Sequence, residues 1–84
     1  MTLYDIYVAA KENADMYDLP KRNEGYVLSY AFGVFGVKLS NEHCELVAKA
    51  FHDAEDIFNN ETEWTLQLFN RIEKPLRSIE IGGE

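Results

Sequence analysis

Tyr26-Val27-Leu28-Ser29-Tyr30-Ala31-Phe32-Gly33-Val34-Phe35-Gly36-Val37 is the stretch on which the fold turns. Read as a strand, Tyr26, Leu28, Tyr30 and Phe32 share one face, and the aromatic and β-branched content favours that reading. Read as a helix, Ser29, Gly33 and Gly36 form a track of small residues beside a track of Leu28, Phe32 and Phe35. The flanks decide between the two. Both neighbouring segments carry helical periodicity, and a lone strand has nothing to pair with. The stretch is therefore read as a helix, with Gly36 as its left-handed C-terminal residue. The fold class is then all-α, a small single-domain bundle of about four helices; strands over 26–37 would make it α+β instead.

Upstream, Thr2 and Asp5 resemble a capping box with Asp in place of Glu. Leu3, Tyr7, Ala10, Ala14 and Tyr17 follow at spacings of four and three, which predicts a helix over about 2–18. Pro20 bars Leu19 from the α region and ends it. Downstream, Ser40 is a good N-cap for a long helix reaching about Asn59. Its residues Cys44, Val47, Phe51, Ala54 and Phe58 alternate at three and four, and Leu46, Ala50 and Ile57 widen the apolar arc to roughly 160°. An arc that wide suits a central helix packed against two neighbours. Asn60 with Glu63 gives a second capping signal. Trp64, Leu68, Phe69, Ile72 and Leu76 supply the stripe of a last helix, which Pro75 kinks or ends near Lys74. Residues 80–84 read as a flexible tail on a single helical domain covering 1–84.

The chain has 84 residues, 46% of them hydrophobic with 11 aromatics, too apolar for intrinsic disorder. Cys44 is the lone cysteine, so no internal disulfide forms, which fits a reducing compartment. The N-terminus has no basic patch followed by an apolar run. The longest apolar run is too short for a bilayer, which needs about 20 residues. These features point to a cytoplasmic protein without membrane contact. At this size a binder, inhibitor or subunit is the natural expectation, not an enzyme.

Charge is concentrated between Ser40 and Glu63, where seven carboxylates face one cation, Lys49, within a chain of net charge −7. Glu42, Glu45, Asp53 and Asp56 share one stripe of the long helix, about 21 Å from end to end. Glu61 and Glu63 continue the acid into the next helix. Such a face suits a basic surface on a partner and, in the extreme, mimics nucleic-acid phosphates. Lys49 in the middle of the stripe weakens that mimicry by pairing with Glu45 and Asp53. The plainer reading is a solvated helix face, with Glu61 and Glu63 complementing a helix N-terminus. Tyr4 and Tyr26 are the aromatics expected to be most exposed and to add affinity.

Other chemistry finds little footing. His43 and His52 lie nine apart on different helix faces, and tetrahedral zinc wants four ligands, so no metal site is expected. An EF-hand fails because Ile57, Phe58 and Trp64 would fall at ligand or glycine positions. No nucleophile elbow, HExxH, phosphate loop or CxxC occurs, so no catalytic residues and no cofactor are expected. Cys44 reads as a core thiol. A helix-turn-helix over 26–59 would present carboxylates to phosphates, which argues against direct nucleic-acid binding. The expectation is a small acidic protein-binding module or inhibitor that docks on a basic surface of a larger, nucleic-acid-handling protein. In kind, though by no motif, it is similar to the small acidic inhibitors made by phages and other mobile elements. The alternative is a structural helical homodimer whose acid keeps it in solution.

Overall fold

The segment 26–37 is helical through Phe35. In this computed structural model, which describes residues 1–20, 22–60 and 62–81, the chain forms four helices and no strand among the described residues. They are α1 (Leu3–Met16), α2 (24–35), α3 (Asn41–Asn60) and α4 (64–77). An isolated antiparallel bridge joins Thr2 to Glu80. None of the described helices is long and apolar enough to cross a membrane.

Each helix end has a local cause. At the start of α1 the Thr2 N–H donates to the Asp5 carboxylate at 2.8 Å. The helix stops at Met16, two residues short of the expected end, because Asp18 takes a left-handed conformation (φ 51°). The Leu19 N–H then reaches the Ala14 carbonyl at 2.9 Å and the Asp18 N–H reaches that of Asp15 at 3.3 Å, a Schellman pattern. Asn23 caps α2, its Oδ1 accepting from the Tyr26 N–H at 3.1 Å. Gly36, at φ 69°, closes that helix. Ser40 caps α3, accepting from the His43 N–H at 3.2 Å. Asn60 does not cap α4. Its amide donates back to the Asp56 carboxylate at 2.9 Å, and Glu63 holds the N-cap position without a side-chain bond.

Two helices contain a π turn, over Ala31–Phe35 in α2 and Phe69–Glu73 in α4. A π turn adds a residue and delays the rotation of everything after it. In α2 it aligns Val27, Ala31 and Phe35, the first two buried and the third half-buried. Of the two tracks expected on this helix, the small residues Ser29, Gly33 and Gly36, expected to pack closely, are exposed, and so are Leu28 and Phe32 of the large one. In α4 the π turn lies immediately before Pro75, which lacks the N–H for an ordinary bond to Arg71. The helix thus passes Lys74 and runs on to Arg77.

The core is a single cluster. Leu3, Ile6, Tyr7 and Ala10 of α1 and Val27 and Ala31 of α2 meet Cys44, Val47, Ala50, Phe51, Ala54 and Ile57 of α3, with Ile72 and Leu76 of α4. α3 is central, as its wide arc predicts. Ile81 also belongs to the core, and its N–H donates to the Met1 carbonyl at 2.9 Å. Glu80 and Ile81 are therefore part of the packed body and not of a tail; 82–84 lie outside the described residues.

Candidate protein-docking surface

The acidic stripe is less free than its charge count. Asp53 is largely covered, and its carboxylate meets Arg71 of α4 at 3.3 Å and Lys49 at 3.7 Å. The second guanidinium nitrogen of Arg71 reaches Asp56 at 3.5 Å. Asp53 and Asp56 thus tie α3 to α4. Glu42 and Glu45 stand exposed at the other end of α3, with no ion-pair partner among the described residues. The four stripe carboxylates with Lys49 and Arg71 carry a net charge of −2. Glu63 is exposed beside Trp64, and Glu61 lies outside the described residues.

The two tyrosines expected at the surface are half-buried and structural. The Tyr26 hydroxyl donates to the Ala10 carbonyl at 2.7 Å and accepts from the Asn13 amide at 3.0 Å, fastening α2 to α1. Its ring lies 6.4 Å from that of Phe51. Tyr4 has its ring 5.9 Å from Tyr7 and the Arg77 guanidinium 4.8 Å above its centre.

Other large apolar residues are more exposed, Tyr17 of the α1 end, Phe32 of α2 and a group at the α3–α4 joint among them. Phe58 is 54% exposed, Trp64 45%, Leu66 51% and Phe69 46%. Phe58 and Trp64 pack on each other with ring centroids 5.1 Å apart across the joint between α3 and α4. Sequence periodicity had placed Phe58, Trp64 and Phe69 on apolar stripes. At this level of α3 no described core element covers Phe58, and in α4 Ile72 and Leu76 are buried while Phe69 stays outside. Isolated apolar residues at a surface need no explanation, but a contiguous aromatic group does.

Phe58 also walls a cleft of about 270 Å³ between α1 and the α3–α4 pair. Its other walls are Tyr4, Tyr7, Val8, Leu68 and Ile72, with Lys11, Glu12, Asp15 and Glu73 at the rim. Asp15 is held by Lys11 at 2.8 Å and Arg22 at 2.7 Å, and the Lys11 hydrogen bond leads in lowering its pKa. Glu73 is held by Arg77 at 2.8 Å. Burial pushes the Tyr7 phenol up to about 12.

No three His, Cys, Asp or Glu side chains among the described residues group to hold a metal ion. Cys44 is buried, and burial raises its thiol pKa, so little of it is thiolate at neutral pH. No family model, curated protein or solved structure matches the chain.

Proposed function

We propose that this protein is a binding module that docks on a larger protein through the Phe58–Trp64 joint. The carrying observation is that Phe58, Trp64, Leu66 and Phe69 form an exposed apolar surface that no described element covers. Large aromatics at the centre of an interface commonly carry most of its affinity. Glu63 stands at the border of this surface, and the whole chain carries −7. The complementary partner has an apolar pocket ringed by Lys and Arg. Glu42 and Glu45 lie farther along α3, where charge speeds encounter more than it holds the complex. Occupying such a pocket blocks whatever else uses it. A nucleic-acid-handling protein of the host is the partner class this favours, as for small acidic antagonists made by phages and other mobile elements.

Capture from a host lysate, identification of the bound protein, and re-measurement with purified components test the reading. The account expects a partner with a basic, apolar-centred surface whose complex persists in high salt and is lost with Trp64→Ser. A partner released by salt alone, and indifferent to Trp64→Ser, contradicts it.

A second reading, a homodimer through α2, has its own support. Leu28, Phe32 and Val34 are exposed, and no charge falls between Glu24 and Lys38. An antiparallel second copy would set Glu24 near Lys38 at both ends. Light scattering decides it: a dimer that Phe32→Glu splits supports this contact, and a monomer at high concentration removes it.

A further inference from the structure

The cleft beside Phe58 has a feature that the core does not use. Tyr7 is only 5% exposed, yet its hydroxyl makes no hydrogen bond to any described residue. No fully buried side-chain polar atom among the described residues is left without a partner. Tyr7 lines the cleft, and its hydroxyl is a donor and acceptor without a partner among the described residues. At about 270 Å³ the cleft falls below the roughly 300–1,000 Å³ of sites for drug-sized molecules, and it suits one large side chain. Three of its walls are aromatic rings, Tyr4, Tyr7 and Phe58, which favour an aromatic guest by edge and offset contacts. At the rim Asp15 and Glu73 are already paired, whereas Glu12 has no ion-pair partner among the described residues.

We infer that this cleft receives one aromatic side chain of the docking partner, a tryptophan whose indole N–H meets the Tyr7 hydroxyl, carried beside a Lys or Arg that faces Glu12. This rests on the docking reading above and names the partner's anchor. The phenol keeps its proton through the whole neutral range, so the hydroxyl can both donate and accept there. Phe58 belongs to the cleft and to the exposed joint alike, so an anchored partner also covers Trp64.

The test uses the isotope-labelled full chain and three capped peptides, Lys-Trp-Lys, Lys-Leu-Lys and Glu-Trp-Glu. Chemical-shift changes are followed at the methyls of Val8, Leu68 and Ile72. Lys-Trp-Lys is expected to bind with a dissociation constant of roughly 1 mM, in keeping with so small a ligand. The other two should bind about fivefold more weakly or worse. Tyr7→Phe keeps the ring and deletes the hydroxyl, and it should erase most of the preference for Trp over Leu. Glu12→Gln should narrow the gap between Lys-Trp-Lys and Glu-Trp-Glu. Equal binding of all three peptides, absence of shifts at these methyls, or full Trp preference in Tyr7→Phe overturns the assignment. A failed peptide titration with partner binding still lost in Trp64→Ser overturns the cleft alone, whereas partner binding indifferent to Trp64→Ser overturns the docking reading, so the two failures give different results.

Discussion

Asp18 shows how one residue can carry a cost that the fold requires. Its φ of 51° closes α1 in a Schellman pattern, and only glycine takes that region without steric penalty. Asp18→Gly should stabilise the protein by about 0.5–1 kcal/mol, read as a higher midpoint in urea; no gain would mean that the Asp side chain compensates. Tyr7 gives a pH signature. Its folded pKa of about 12 lies above the ordinary 10.0, so between those values the unfolded chain loses a proton that the folded chain keeps. Stability is therefore intact below pH 10 and falls as pH rises toward 12. Tyr4 and Tyr30 are shifted the same way, by burial first. Urea midpoints across this range should drop in wild type and drop less in Tyr7→Phe. Much at this scale was legible in sequence. The Thr2–Asp5 pair, the Ser40 cap and the left-handed Gly36 were all read from spacing, because caps are local chemistry. The roles of Tyr4 and Tyr26 were not, because a hydroxyl finding Ala10 and Asn13 depends on how two helices cross.

At the scale of elements, the long helix and its central place followed from the width of its apolar arc. Two of the misjudged residues, Phe32 and Phe69, lie within the two π turns. Val27, Ala31 and Phe35, like Leu68, Ile72 and Leu76, recur at a strict spacing of four. In an ideal α-helix of 3.6 residues per turn such a line drifts by about 40° per step, and a π turn offsets part of that drift. Leu28, Phe32 and Gly36 share the same spacing, so periodicity alone could not choose the buried line. The acid stripe misled for a related reason: the arginine that neutralises it lies 18 residues from Asp53, on another helix. Arg71 reaches two carboxylates, at 3.3 and 3.5 Å, and remains partly exposed. Arg71→Ala should cost about 1 kcal/mol, less in high salt. A loss that salt leaves unchanged would assign the effect to packing of its stem instead.

For the whole molecule, charge and apolar surface are placed apart. The unpaired acids Glu42 and Glu45 occupy one end of α3, and the exposed rings of Phe58, Trp64 and Phe69 gather at the other, where Glu63 borders them. The all-α class was readable because four periodic segments agree. The docking surface was not, since an aromatic on an apolar stripe looks like core until the packing shows what covers it. Separation of the two features assigns them different kinetic tasks: acid accelerates approach, and the aromatic joint sets residence time. The most direct measurement compares association and dissociation rates with the purified partner for Trp64→Ser and for Glu42→Lys/Glu45→Lys. The account predicts that Trp64→Ser raises the dissociation rate at least tenfold, about 1.4 kcal/mol, while the charge reversal slows association and leaves dissociation unchanged. Loss of the complex on charge reversal, with Trp64→Ser binding like wild type, would contradict it.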